Sequence, residues 1–502
     1  MLRNTPDCLT APSPTGTLRP ALDAYDLAVR LEMEGVTDEV ARTEFGSPST
    51  FALARGHLRN VTGGDYPATK PAEKPRWAQL FNGVAFAIPI LICTITSLLY
   101  RLSLWGGDLS ADLATAVAIG TISSFLVTGG IIQASARRTL FQLQCEHWDE
   151  ARATCYHWTR FGIKTLVGTL GLGWALNQYF RWLPAPIEWV ALSFHFFLGL
   201  LWLACGILYV LEMGWAVGAA VLAGIGVVAS LHLGAGWPLL ASQLFGVAVT
   251  AAIAFAVAAI AMRHKRKQQG HGEHFSLRVA HKIAPYFLYG SCYYLFLFCD
   301  RILAWTSHAT ASSLPLQFRG DYETALDIAM IAFIGQAGWV HMSVLAFYRH
   351  MNSAQSGFNV RQTAAFNAES QHFYLRRAAW FLPVATALGL ATYFIAVHYG
   401  LLPTEAMRKV AVVAVASYPL LVFGLWNTSL FFALSRPAGA LGSILASLLV
   451  NLIVGYACSR VGQYDNAVYG FAAGSAVFAL LTTVGYLRLS RTVDYSHFAS
   501  AA

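Results

Sequence analysis

The chain has 502 residues, of which 56% are hydrophobic and only 12% are charged. Soluble domains carry about 25% charged residues, so this composition excludes an ordinary soluble enzyme and indicates a polytopic membrane protein. The formal net charge is +8. Because the lysines and arginines lie between apolar runs, we expect them to set membrane topology and not to bind nucleic acid.

The polar N-terminal part precedes the first apolar run. It predicts a disordered tail, a small soluble helical module and a linker, at residues 1–19, 20–57 and 58–76. The module is either a cytosolic appendage or a docking site for a partner. No apolar segment lies near the start, so no cleavable signal peptide is predicted.

Start and stop signals divide the module into three short helices. Gly35 is expected to end the first helix, and Thr37 to cap the second. Ser47 and Pro48 are expected to begin the third, since proline suits the first helical position. None of these helices carries a catalytic constellation.

Twelve apolar spans follow, which predict an all-α membrane protein of two six-helix bundles. The spans lie at residues 79–104, 110–135, 158–180, 185–211, 213–232, 236–262, 283–305, 323–348, 378–399, 408–434, 437–458 and 464–488. The predicted bundles occupy residues 77–262 and 281–490. The basic linker between them is at residues 263–280, and the C-terminal tail is at residues 491–502. Lysine and arginine concentrate on one side, which predicts both termini in the cytoplasm.

The seventh span is the most informative stretch of the chain. One helix face carries aromatic residues that end in an acid, at Tyr286, Tyr289, Tyr293, Phe296 and Asp300. This face predicts contact with something partly polar, although packed helices also use aromatic residues.

Arg301 follows the acid, and Arg301 to Trp305 echo Arg101 to Trp105 some 200 residues earlier. The echo predicts a duplicated architecture, with both arginines at the outer ends of equivalent spans. Asp300 and Arg301 either line a cavity, because buried charge is costly in a membrane, or lie at the outer interface.

Asp327 and His341 fall within the eighth span on roughly one face, so a proton relay is one interpretation. Two polar residues satisfied by neighbouring helices are the other. The remaining intramembrane polar residues are expected to form helix–helix hydrogen bonds: Asn177, Gln178, His195, Gln243, Asn427 and Asn451.

A C-x-H-W pattern occurs twice, at Cys145 to Trp148 and at Cys155 to Trp158. Its four Cys and His side chains are of types that zinc accepts, but the spacing is not a usual zinc spacing, so no metal site is predicted. No nucleotide-binding or hydrolase motif appears, so we expect neither cofactor nor enzymatic activity.

The run LYGSCYYLFLFCDRILAW, followed by the acidic segment from Phe318 to Asp327, resembles the Pel-type exopolysaccharide exporters of the multidrug/oligosaccharidyl-lipid/polysaccharide flippase superfamily. The resemblance implies a V-shaped pair of bundles and alternating access. It also implies export of a polysaccharide across the inner membrane of a bacterium, beside a separate synthase or glycosyltransferase. It implies that the aromatic face contacts cargo, and that Asp300, Arg301, Arg101 and Asp327 set the charge of the cavity. The module at 20–57 departs from that family. An ion-coupled drug or lipid-linked oligosaccharide flippase, or a non-transporting scaffold for a synthase, are the alternatives.

Overall fold

The computed structural model describes residues 24–33, 36–62, 83–84, 87–144, 148–264, 277–307, 314, 316–357 and 363–494. Helices dominate this described part of the chain, in which one isolated bridge joins Leu102 and Gly107. The chain divides into two compact units, Met1–Lys74 and Pro75–Ala502. Each unit is described separately.

The N-terminal unit contains helices α1 (Ala24–Met33), α2 (Asp38–Thr43) and α3 (Thr50–Thr62). The predicted cap is confirmed, because the Thr37 side chain accepts a hydrogen bond from the backbone of Val40. The predicted start at Ser47 and Pro48 is wrong by two residues: α3 begins at Thr50.

The physical reason for the later start of α3 lies in the bonds around Thr50. Its backbone N–H donates to Asp38 Oδ1 at 2.8 Å and its hydroxyl donates to the carbonyl of Val36. The Ser49 hydroxyl accepts from the backbone of Ala52 at 3.1 Å, which makes it the cap. Gly35 lies outside the described residues.

Within the described residues of the second unit, twelve α-helices each correspond to one predicted span. They are α4 (Ile88–Tyr100), α5 (Ala111–Gln144), α6 (Trp148–Phe180), α7 (Ala185–Val210), α8 (Gly214–Ala229), α9 (Leu239–His264), α10 (Leu277–Trp305), α11 (Gly320–Gly357), α12 (Thr363–His398), α13 (Glu405–Ala433), α14 (Pro437–Val461) and α15 (Val468–Leu489). Among the described residues, ten of these helices are long and apolar enough to cross a membrane. The other two are α4, which is short, and α6, which is less apolar.

Helix ends differ from the predicted spans in two instructive places. Glu212 adopts a left-handed φ of 56° between α7 and α8, so these helices are separate even though the break between them is short. Arg101 adopts a φ of 53° and ends α4. The segment after Arg101 is therefore not helical, whereas Arg301 to Trp305 are helical, and the sequence echo does not extend to local structure.

Two helical repeats, α4–α9 and α10–α15, make the same internal contacts in the same order. In the first, α5 packs on α6 and α7, α9 on α7 and α8, and α4 on α8. In the second, α11 packs on α12 and α13, α15 on α13 and α14, and α10 on α14. Each helix has its counterpart six helices later, which is the pattern of a parallel repeat.

The first helix of each repeat contacts the second helix of the other: α10 packs on α5, and α4 packs on α11. Both crossings are made at glycines. A Cβ atom on Gly290 would lie 2.6 Å from the Gly129 carbonyl oxygen, and one on Gly83 would lie 2.8 Å from Gly338 Cα. Gly129 and Gly338 are each eighteen residues after the first residue of their helices, α5 and α11, so the crossings occupy equivalent positions.

Intramembrane polar residues join neighbouring helices, as predicted for four of them. His195 lies between Ser123 and Thr169, with each hydroxyl 2.9 Å from a ring nitrogen. Asn451 donates to the carbonyl of Phe296, Asn427 to two threonine hydroxyls, and Gln178 on α6 to Glu188 on α7. Asn177 and Gln243 instead bond to loops: Asn177 to the backbone of Leu183 after α6, and Gln243 to the carbonyl of Gly106 after α4.

Candidate transport site

A cluster of buried charges lies where α10 ends and α11 begins. Asp300 and Arg301 belong to the last two turns of α10, and Glu323 and Asp327 to the first turns of α11. Acidic residues are favourable in the first turn of a helix because the exposed N–H groups carry partial positive charge. Because the chain turns back after Trp305, the carboxylates of Glu323 and Asp327 at the start of α11 lie beside the guanidinium of Arg301.

Arg301 contacts two of the carboxyl groups in this cluster. Its Nη1 donates to Glu323 Oε2 and lies 3.5 Å from Asp327 Oδ1. The Trp305 indole donates to the other oxygen of Glu323 at 2.8 Å. The side chains of Arg301 and Glu323 are 9% and 8% exposed, but that of Asp327 is 44% exposed. The cluster is thus enclosed on the side of Glu323 and accessible on the side of Asp327.

Asp300 is held separately from Arg301. The Tyr322 hydroxyl donates to Asp300 Oδ2 at 2.6 Å, while Oδ1 is buried without a hydrogen-bond partner in the described part of the chain. Consecutive helical residues point about 100° apart, so the neighbouring acid and base do not form a local pair. Both residues are buried, so neither side chain is exposed on the surface of the protein.

Two carboxyl groups, those of Glu323 and Asp327, contact the one guanidinium, and a third, that of Asp300, is buried on the neighbouring residue. A single positive charge cannot neutralise three ionised carboxylates, and unpaired charge in an apolar interior is costly. The surplus can be offset by a bound cation or by protonation of a carboxyl. Intramembrane ionisable clusters of this kind usually mark pathways for ions or substrates.

The aromatic face of α10 points into the second repeat. Tyr286 and Tyr289 pack on Phe432, with ring centroids 5.0 Å away in each case, and the Tyr289 hydroxyl lies 3.1 Å from Thr428 Oγ1. Phe296 is fully buried between Phe471 and Phe478. Tyr293 alone of the four predicted aromatic residues keeps part of its surface exposed. Contact with cargo stays a prediction for this face.

Two predicted site residues lie away from the cluster. Arg101 is 79% exposed and its nearest acid is Asp108, at 3.9 Å. His341 lies fourteen residues after Asp327 on α11, which separates them by about 21 Å along the helix axis. A proton could pass between them only through intervening groups, so the relay stays a prediction.

Sequence reasoning missed Glu323 and the contact that Trp305 makes with it. Glu323 lies one helical turn before Asp327, so their shared face was a signal that could have revealed it. Trp305, the last residue of α10, is 2% exposed and bonded to Glu323. Of the C-x-H-W residues, Cys145 and His147 lie outside the described part. Cys155 is buried, with its sulfur 3.4 Å from Thr139 Oγ1.

Comparison with known proteins gives a likeness in structure only. No family model matches the chain, and no curated protein matches it. A crystal structure of a MATE mutant superposes with a TM-score of 0.60 at 13% identity, covering 84% of this chain and 98% of the other. An outward-facing multidrug resistance MATE transporter of the MOP superfamily gives 0.59 at 12% identity, covering 84% and 98%.

A third similar structure is a MOP superfamily transporter from Pyrococcus furiosus, described as having a binding pocket of reversed polarity. It gives a TM-score of 0.55 at 14% identity and covers 84% of this chain and 97% of the other. At these identities the likeness establishes the fold alone. The chain has the fold seen in MATE and MOP superfamily transporters, an all-α membrane architecture.

Proposed function

We propose that the chain is a membrane transporter that moves a carbohydrate cargo by alternating access between its two repeats. The observation that carries the proposal is the buried cluster of Arg301, Glu323 and Asp327, with Asp300 beside it. A scaffold has no need for surplus intramembrane charge, whereas a transporter uses it to select or release what passes. The equivalent repeats supply two bodies that can move against each other across narrow glycine contacts.

The cargo we propose is a polysaccharide or a lipid-linked oligosaccharide, delivered by a glycosyltransferase or synthase. Sugars present hydroxyl groups at their edges and apolar faces above and below the ring. Charged acceptors such as Asp327 and aromatic rings such as Tyr293 complement these two features, and both have exposed surface.

Ion coupling is the second candidate, and it is favoured by the excess of carboxyl groups. A cation or proton that binds Asp300 or Asp327 would relieve their repulsion and would favour the conformation in which the cluster is enclosed. Export of sugar and ion coupling are compatible, since one can drive the other.

The test of transport uses a host strain from which the gene has been deleted and to which variants are restored. Asp300→Asn and Arg301→Gln should abolish released carbohydrate, measured by a colorimetric sugar assay on culture supernatants. Arg101→Gln should leave release intact, because its guanidinium is exposed. Membrane fractions are blotted to verify insertion. Normal release from both cluster variants would refute the proposal.

Deleting residues 1–57 separates the scaffold alternative. If that deletion alone abolishes release while Asp300→Asn and Arg301→Gln are silent, the chain acts as a scaffold. Ion coupling is tested on the detergent-solubilised protein by thermal unfolding in sodium, potassium and choline chloride at acidic and neutral pH. Stabilisation by one cation or by protons that is lost in Asp327→Asn supports coupling, and its absence in every condition contradicts it.

A further inference from the structure

One exposed face of α6 carries cations near its N-terminal end. α6 packs against α5 and α7, and the residues on its opposite face are exposed. Tyr156, Arg160, Lys164, Val167 and Gly171 follow steps of 4, 4, 3 and 4, which keeps them on this face. Among them only Arg160 and Lys164 are charged.

The depth of these cations follows from the length of the helix. α6 has 33 residues and is about 50 Å long, whereas a hydrocarbon core is about 30 Å thick and takes about 20 residues. Exposed aromatic residues at the far end, Tyr179, Phe180 and Trp182, mark one interface. Counting back about 20 residues from Phe180 sets Arg160 at the other interface and Lys164 one turn inside it.

Lys164 therefore has to direct its ammonium group back toward the interface where Arg160 lies. Within the described residues, neither cation forms an ion pair with a carboxylate. The Arg160 guanidinium lies 5.1 Å from the ring centroid of Tyr156, which orients its remaining donors outward. Two cations so positioned at the level of lipid phosphates complement an anion.

The surface beyond the cations suits an acyl chain. Val167 is 53% exposed, and Cβ atoms built on Gly168 and Gly171 would meet nothing within 4 Å. The helix surface at these two glycines is therefore open and carries no side chain. A cationic end and an uncovered apolar surface on one helix face match a phospholipid better than a free anion.

The second repeat supplies an internal comparison. Its equivalent helix is α12, which ends at His398. Counting back the same distances from that end reaches Ala378 and Leu382. Arg376 and Arg377 lie one to two residues before Ala378, so the second repeat also has cations near the depth of Arg160. It has no cation at the depth of Lys164, which is the feature particular to the first repeat.

We propose that this face of α6 binds an anionic phospholipid, with its phosphate between Arg160 and Lys164 and one acyl chain along Gly168 and Gly171. The lipid belongs to the leaflet on the side of the α5–α6 connection. This inference is independent of the proposed cargo.

The test uses the full chain in nanodiscs of phosphatidylcholine and phosphatidylglycerol, released for native mass spectrometry. The wild type should retain phosphatidylglycerol in preference to phosphatidylcholine. Each interfacial charge contributes about fivefold, so Arg160→Gln with Lys164→Gln should lower the preference roughly 25-fold. The charge-matched control, Arg488→Gln with Arg491→Gln, removes two exposed arginines at the end of the second repeat and should keep it.

Added inorganic phosphate distinguishes the source of the anion. If it displaces phosphatidylglycerol at low concentration, the site binds phosphate itself and the lipid proposal is overturned. An unchanged preference in the Arg160 and Lys164 variant, or an equal loss in the control, also overturns it. The exchange Arg160→Lys with Lys164→Arg keeps both charges and should retain binding, which excludes misfolding as the cause of a loss.

Discussion

Replacing Arg301 by glutamine is the sharpest test of the buried cluster. The change leaves Glu323 and Asp327 without their counter-charge. Removing one partner of a buried ion pair costs about 3–5 kcal/mol. Because Asp327 is 44% exposed, solvent screens most of its electrostatic interaction with Arg301, and the loss of that interaction costs little. Glu323 keeps the Trp305 bond and can take up a proton, so we expect a loss near the lower limit, about 3 kcal/mol.

The assay is SDS-induced unfolding of the purified protein in mixed micelles, followed by circular dichroism. Arg101→Gln is the matched control and should change stability by less than about 0.5 kcal/mol, since Arg101 is exposed. Adding Glu323→Gln to Arg301→Gln removes both partners and should recover about 1–3 kcal/mol. If Arg301→Gln is no more harmful than Arg101→Gln, or if the double variant recovers nothing, the cluster is not coupled as described.

Two further predictions concern the seam between the repeats and the N-terminal unit. Gly290→Ala should lower the free energy of unfolding by about 1–3 kcal/mol, because its Cβ would meet the Gly129 carbonyl oxygen. Gly168→Ala should instead raise it by about 0.5–1 kcal/mol in the same unfolding assay, because α6 is stabilised. Equal effects of the two changes would contradict the packing described. The Thr50 N–H bond lowers the pKa of Asp38 below its ordinary 3.8, so its contribution is present above that value and is lost as pH falls through the lowered pKa. The protection factor of the Thr50 amide, which is corrected for the intrinsic pH dependence of exchange, should fall on acidification in the wild type and be independent of pH in Asp38→Asn. No difference between the two would contradict this role.

The number and order of the membrane helices followed from the sequence because burial in lipid leaves a strong signal. A spanning helix needs about 20 apolar residues, and such runs can be counted without knowing how they pack. Even the short break at Glu212 was recognised. Helix ends were less predictable, since α12 begins at Thr363, fifteen residues before the apolar run it contains.

The site was predictable only in part because its contacts join residues from different helices. Composition singled out Asp300, Arg301 and Asp327, since charge within an apolar run is conspicuous. It did not single out Glu323, which lies at the edge of its span. The sequence similarity between the segments that begin at Arg101 and Arg301 could not reveal that Arg101 ends a helix while Arg301 lies inside one, because that difference depends on backbone conformation.

The central claim is that the two repeats move against each other, and electron–electron double resonance measures that motion directly. Spin labels would be attached to cysteines introduced in a cysteine-free background at equivalent exposed positions of α6 and α12. One pair lies near their C-terminal ends, Tyr179 and Tyr399, and another nearer their N-terminal ends, Ala153 and Leu375. We expect two distance populations for each pair, with one pair lengthening as the other shortens when pH or sodium changes. A single unchanging distance for both pairs would contradict alternating access.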